Sequence, residues 1–65
     1  MYFHGEQPRI MTVREVADFL RMHEMTIYRM ARQGEIPAYK VGNRWRFNRE
    51  RIEEWLSAHE VGQGD

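Results

Sequence analysis

The sequence predicts a small α+β domain in which two helices joined by a tight turn precede a two-stranded antiparallel hairpin and a third helix. Three observations support this prediction. A capping box opens an amphipathic stretch at Thr12, a glycine closes a second one at Gly34, and aromatic-rich segments flank Gly42. With 65 residues, the chain has room for one domain with a modest core.

The first helix is predicted at about residues 12–20. Thr12 and Glu15 have the spacing of a capping box, in which each side chain accepts a hydrogen bond from the other residue's backbone N–H. The apolar residues that follow recur at helical spacing: Val13, Val16, Ala17 and Leu20. This stripe indicates one buried face.

The second helix is predicted at about residues 24–33. Gly34 follows it, at the position where helices commonly end in a left-handed residue, and His23 is a poor cap at its start. The inward stripe is Ile27, Met30 and Ala31. The helical period places the remaining side chains outward or on the flanks: Met25, Thr26, Tyr28, Arg29, Arg32 and Gln33.

The next segment predicts a hairpin. A two-residue loop would pair Val41 with Arg44 and would mix apolar with basic side chains on each face. A three-residue loop pairs Val41 with Trp45 and Tyr39 with Phe47, which gives one apolar face. We therefore expect the three-residue loop, with Arg44 near its tip.

The third helix is predicted to begin after Asn48, a good cap, and to end near Ala58 or His59. Its inward stripe is Ile52, Trp55 and Leu56. Trp45, Phe47 and Trp55 are interpreted as core residues, since their spacing follows the elements that carry them. The domain is expected at residues 11–59, between flexible segments at 1–10 and 60–65.

Basic residues concentrate in the middle of the chain, although the net charge is zero. Residues 21–51 include eight basic and three acidic side chains, a net charge of +5, and the rest of the chain carries −5. In the expected hairpin register, Lys40 and Arg46 share the face opposite the apolar one. This asymmetry predicts a local anion-binding face, as in proteins that bind nucleic acid.

Several classes of function are disfavoured by what the sequence lacks. It has no cysteine, and the isolated histidines His4, His23 and His59 lack metal-ligand spacing. It has neither a membrane-length apolar run nor the apolar core of a signal peptide. No nucleophile–base pattern or phosphate-binding glycine loop is present. We expect a cytoplasmic protein that is not an enzyme and uses no cofactor, metal, small-molecule substrate or membrane.

Residues 12–20 and 25–56 resemble the excisionase-like DNA-binding domains of the MerR-type superfamily. The matching pieces are TIYR (26–29), GEIPA (34–38), KVG (40–42), RWRF (44–47) and WL (55–56). The resemblance implies a winged helix-turn-helix, whose second helix docks in the major groove of DNA. The hairpin, called the wing, would contact the backbone or the adjacent minor groove.

Two groups of DNA-binding residues follow from the resemblance. The second helix would contribute Thr26, Tyr28, Arg29 and Arg32, and the wing would contribute Lys40, Arg44 and Arg46. Arginine can recognise guanine through two hydrogen bonds, and basic wing residues neutralise phosphates.

The expected function is binding to double-stranded DNA, as a transcriptional regulator or as an excisionase-like architectural factor. A second copy or a fused domain is the expected further partner, because a module of this size has a small footprint on DNA. The alternative is a protein-interaction or targeting module that keeps the fold without DNA contact. Pairing of acidic side chains with the arginines would favour that alternative.

Overall fold

The computed structural model describes residues 9–61, and its helices and hairpin follow the predicted order. The elements are β1 (Ile10–Met11), α1 (Val13–Leu20), α2 (Glu24–Arg32), β2 (Tyr39–Val41), β3 (Arg44–Asn48) and α3 (Arg49–Ala58). The predicted α+β winged helix-turn-helix is therefore confirmed, with one additional strand. Of the segments expected to be flexible, residues 1–8 and 62–65 lie outside the described part of the chain.

Helix α1 begins with the predicted capping box. The Thr12 hydroxyl accepts a hydrogen bond from the backbone N–H of Glu15 (3.2 Å), and the Glu15 carboxylate accepts one from the N–H of Thr12 (2.9 Å). Arg21 follows the helix in a left-handed conformation, with φ 60° and ψ 47°. This residue reverses the chain, so that α2 can begin at Glu24.

Helix α2 ends in a Schellman motif built around Gly34. The N–H of Glu35 donates to the carbonyl of Met30 (2.8 Å), and the N–H of Gly34 donates to the carbonyl of Ala31 (3.2 Å). Gly34 has φ 73°, which glycine adopts without the steric cost that a Cβ atom would add. The glycine stop predicted from the sequence is confirmed.

The sheet has three antiparallel strands in the order β1-β3-β2. Strand β1 pairs Ile10 with Asn48 and Met11 with Phe47, and the N–H of Arg49 donates to the carbonyl of Arg9 (2.7 Å). Two residues are too few to show a strand period, so the sequence predicts only the hairpin. Because of β1, the strand that carries Phe47 becomes the centre of the sheet.

The expectation of a three-residue hairpin loop is wrong. Strands β2 and β3 are joined by two residues, Gly42 and Asn43, and Gly42 has φ 63°. A positive φ at the first loop position is what the tight primed hairpin turns require. The pairs in the register are Tyr39 with Arg46, Lys40 with Trp45 and Val41 with Arg44.

This register changes which side chains share a face of the hairpin. Lys40 lies beside Trp45 on the face towards the core, whereas Tyr39 lies beside Arg46 on the outer face. The predictions that Lys40 and Arg46 share a face, and that Tyr39 belongs to the apolar one, are therefore wrong. Tyr39 and Val41 are 47% and 63% exposed. Burial specifies register only where a strand face is covered, and the wing extends past the core.

One apolar core lies between the helices and β3. Its large side chains with almost no exposure are Phe47, Ile27, Ile52 and Val16. Trp45 and Trp55 are half-buried and pack against this cluster, so their interpretation as core residues is confirmed. Each fully buried side chain of this size contributes about 1.5–3 kcal/mol to folding.

Helix α3 begins at the predicted cap, where the side-chain carbonyl of Asn48 accepts from the N–H of Arg51 (3.1 Å). The Nε1–H of Trp55 donates to the backbone carbonyl of Glu35 (2.9 Å), which fixes α3 against the chain that follows α2. Leu56, expected to point inward, is 44% exposed. Leu56 is not among the side chains that pack against the core, whereas Ile52 and Trp55 of the same helix are.

Candidate nucleic-acid interface

The outward face of α2 carries the exposed side chains of the second helix. Ile27 and Ala31 are buried, which turns the opposite side of the helix to solvent. Tyr28, Arg29 and Arg32 are exposed on this outward side. They are therefore free to contact an external surface, as the helical period predicts.

Thr26 and His23 define the flank and the start of the same helix. Thr26 is half-buried on the flank of the face, so it is less accessible than the two arginines. His23 occupies the cap position but its side chain makes no capping hydrogen bond. Only the His23 carbonyl takes part, accepting from the N–H of Thr26 (3.0 Å) and of Ile27 (3.2 Å). The first turn of α2 is consequently held by backbone contacts.

An open groove of about 300 Å³ separates the wing from the N-terminal ends of α1 and α2. Three of the predicted DNA-binding residues line it together: Tyr28, Arg44 and Arg46. Arg14, at the start of α1, also lines the groove, with Glu24 as the carboxylate among the lining residues. The sequence gives no local signal for Arg14, because its proximity to the wing depends on how α1 packs against β3.

The three basic side chains of the wing lie in different environments. Arg44 is exposed beside the hairpin loop, while Arg46 is half-buried and its Nη1 donates to the backbone carbonyl of Trp45 (2.8 Å). Lys40 extends over the indole of Trp45, with Nζ 4.9 Å from the ring centroid. This cation–π contact is worth about 0.5–1 kcal/mol at an exposed site and leaves the ammonium in water.

The predicted DNA-binding residues are not brought into one cluster. Tyr28, Arg44 and Arg46 share the groove, whereas the remaining four do not line it: Thr26, Arg29, Arg32 and Lys40. Arg29 and Arg32 extend the surface along α2, and Lys40 extends it along the opposite face of the wing. The structure therefore places basic side chains on α2, in the groove and on both faces of the wing.

The basic side chains of α2 and the wing form no ion pair within residues 9–61, although the Glu24 carboxylate also lines the groove. Within residues 9–61 the ion pairs are Arg9 with Glu50 (4.0 Å) and Arg49 with Glu53 (3.1 Å). Both pairs involve α3, and neither includes a basic residue of α2 or the wing. Basic side chains without ion-pair partners can bind a polyanion such as the DNA backbone.

Within residues 9–61, no group of three histidine, aspartate or glutamate side chains is close enough to hold a metal ion. No helix there is both long and apolar enough to cross a membrane.

Two helices joined by a tight turn, followed by a hairpin wing and a third helix, define a winged helix-turn-helix domain. The chain belongs to the helix-turn-helix domain family, whose sequence model matches residues 10–60. This match includes both helices of the motif, the wing and all of α3.

Individual relatives agree with this assignment. The chain is 35% identical over 57 residues to proteins of two Mycobacterium tuberculosis strains that bear the name "Putative DNA-binding protein". The alignment covers 85% of this chain and 73% of each relative. The chain is also 31% identical over 52 residues to an uncharacterized Bacillus subtilis protein, covering 80% of this chain and 17% of that protein. No solved structure matches the chain.

Proposed function

We propose that this protein binds double-stranded DNA, with α2 in the major groove and the wing on the backbone or in the adjacent minor groove. The observation that carries the proposal is the outward face of α2. Arg29 and Arg32 are exposed there, and no carboxylate pairs with them within residues 9–61. The relatives named as DNA-binding proteins and the helix-turn-helix family support it.

The groove residues have complementary roles in this proposal. Tyr28 offers a hydroxyl to a phosphate, and Arg44 and Arg46 supply charge on the other side of the groove. Lys40 neutralises phosphate from the opposite face of the wing, and Arg14 adds a cation at the start of α1. Contacts of this kind position the protein on DNA but do not select a sequence.

Sequence preference is assigned to α2 instead. An arginine in the major groove can donate two hydrogen bonds to O6 and N7 of one guanine, which discriminates by about 1–3 kcal/mol. Arg29 is the candidate for this contact, since it lies near the middle of the outward face. Arg32 and Thr26 flank it on the same helix.

The biological role that follows is transcriptional regulation or excisionase-like shaping of DNA during recombination. Both roles place the protein in the cytoplasm with the chromosome, as a binding protein and not as a catalyst. A single module buries roughly 600–1,000 Å², so a second copy or a fused domain would be needed for high specificity. A duplex-bending measurement separates the roles, because an architectural factor bends its site strongly and a simple regulator need not.

Salt dependence tests the proposal directly. If about five of the basic side chains neutralise phosphates, the logarithm of the binding constant falls against the logarithm of salt with a slope of roughly −4 to −5. Fluorescence anisotropy with a labelled duplex at several salt concentrations measures this slope. The proposal fails if the protein binds no duplex at low salt, or if binding does not respond to salt.

The alternative is an interaction module that keeps the fold without DNA contact. Pairing of acidic side chains with the arginines of α2 and the wing would favour it, and the ion pairs of residues 9–61 lie elsewhere. The arrangement of charge therefore favours DNA as the partner.

A further inference from the structure

Met25 is an apolar side chain exposed on the outward face of α2, the helix that also carries Arg29 and Arg32. It is 81% exposed, more than any other large apolar residue in the helices and strands of residues 9–61. It belongs neither to the buried core nor to the apolar side chains that pack against it. The side chain of Met25 therefore adds no core packing and is accessible to a partner.

The position of Met25 on α2 indicates which part of the partner it meets. It is the second residue of the helix, and Tyr28 and Arg29 follow it three and four positions later on the same outward side. In a helix-turn-helix, the N-terminal residues of the second helix contact the edges of the bases. Met25 therefore faces bases, not phosphates, when α2 docks in the major groove.

We propose that Met25 recognises the C5-methyl group of a thymine. Thymine is the base that presents a methyl group in the major groove, and apolar side chains contact it there. The unbranched thioether of methionine is flexible and polarisable, so it adapts to a small apolar target. This inference rests on the proposed function, since it assigns one determinant of sequence preference to the helix that binds DNA.

The spacing between Met25 and Arg29 restricts where the contacted thymine can lie in the target site. Side chains four positions apart on a helix have Cβ atoms about 5–6 Å apart, and successive bases of one strand are separated by about 3.4 Å. The thymine contacted by Met25 should therefore lie one or two base pairs from the guanine contacted by Arg29. The preferred site is expected to contain this thymine–guanine combination.

Removal of single methyl groups from the DNA tests the inference. A preferred duplex is first selected from random sequences with the wild-type protein, and each thymine is then replaced in turn by deoxyuridine, which lacks only the methyl group. At one position the wild-type affinity should fall about fourfold, which corresponds to ~0.8 kcal/mol for one buried methyl group. Anisotropy titrations measure each affinity.

Variants of Met25 identify the side chain responsible. In M25A the uracil effect at that position should vanish, while uracil effects elsewhere remain as in the wild type. Met25→Leu keeps an apolar side chain and should retain part of the effect. The matched control is Leu56→Ala, which truncates an exposed apolar side chain on α3 and should leave every uracil effect unchanged. Because Met25 is exposed, its variants should fold normally, and circular dichroism verifies this.

The outcomes separate this inference from the function on which it rests. Salt-dependent binding to the selected duplex without any uracil effect, or with the same effect in wild type and M25A, overturns the inference and leaves DNA binding intact. Failure to bind any duplex overturns both. A uracil effect that disappears in M25A and persists in Leu56→Ala supports the assignment.

Discussion

Helices α2 and α3 are built on the same plan, but α3 holds one of its two arginines, Arg49, in an ion pair, whereas Arg51 is exposed and unpaired within residues 9–61. Each helix buries one isoleucine completely, Ile27 in α2 and Ile52 in α3. On α3, the Nε–H of Arg49 donates to Glu53 (3.1 Å), and its guanidinium carbon lies 4.7 Å from the ring centroid of Phe19. The arginines of α2 are exposed and have no ion-pair partner within residues 9–61.

This difference shows how a small domain can leave charged side chains available to a ligand. An exposed ion pair contributes only about 0–1 kcal/mol, so leaving the α2 arginines unpaired costs the fold little. The same cations can then neutralise phosphates or recognise bases when DNA is present. Within residues 9–61 the ion pairs involve carboxylates of α3, whereas α2 has one acidic residue, Glu24, and two arginines. Two helices with similar buried faces can thus have outward faces with different functions.

The largest expected effect tests whether the buried faces are equivalent. Ile27→Ala and Ile52→Ala should each lower the free energy of unfolding by about 2–4 kcal/mol, because each leaves a cavity in the shared core. Urea denaturation followed by circular dichroism measures both. A small loss in one variant and a large loss in the other would show that the core depends on one helix more than on the other.

A smaller effect is expected at the outward face of α2 and on the wing. Arg29→Ala should weaken binding to the preferred duplex by about 1–3 kcal/mol and relax the preference at one position. Lys40→Ala should weaken all duplexes alike and reduce the salt slope by about 1. Titrations with preferred and scrambled duplexes measure both. Equal effects on every sequence from the two variants would refute this division of roles.

The smallest effect is expected on α3. Arg49→Ala should lower the free energy of unfolding by about 1 kcal/mol, through loss of the partly exposed ion pair with Glu53 and of the contact with Phe19. Glu53→Gln removes the ion pair alone and should have a smaller effect. DNA affinity measured for both variants should remain at the wild-type level. A marked loss of affinity in Arg49→Ala alone would extend the DNA-binding surface to α3.

Local sequence signals predict the helices of this protein well. The capping box at Thr12, the cap at Asn48 and the glycine stop at Gly34 each depend on residues close in sequence, so their chemistry can be recognised without the fold. The helix ends follow from these capping signals. The outward face of α2 follows from the helical spacing of its apolar residues.

Features that depend on tertiary contacts are predicted less well. Strand β1 forms only because β3 offers it an edge, and the hairpin register differs from the expected one because no packing covers the outer face of the wing. Tyr39 is consequently exposed instead of packing with the apolar face of the hairpin. The proximity of Arg14 to the groove has the same origin. Sequence reasoning therefore predicts the α2 half of the candidate site better than the wing half.

The two tryptophans occupy places that make them separate optical reporters. Trp45 lines the groove and lies beneath the ammonium of Lys40, so DNA bound as proposed would change its surroundings directly. Trp55 lies against the chain after α2, hydrogen-bonded to Glu35 and 4.4 Å from the ring of His59, outside the groove lining. In variants that keep one tryptophan each, fluorescence would consequently report occupation of the groove and loss of the folded state separately, without an added label.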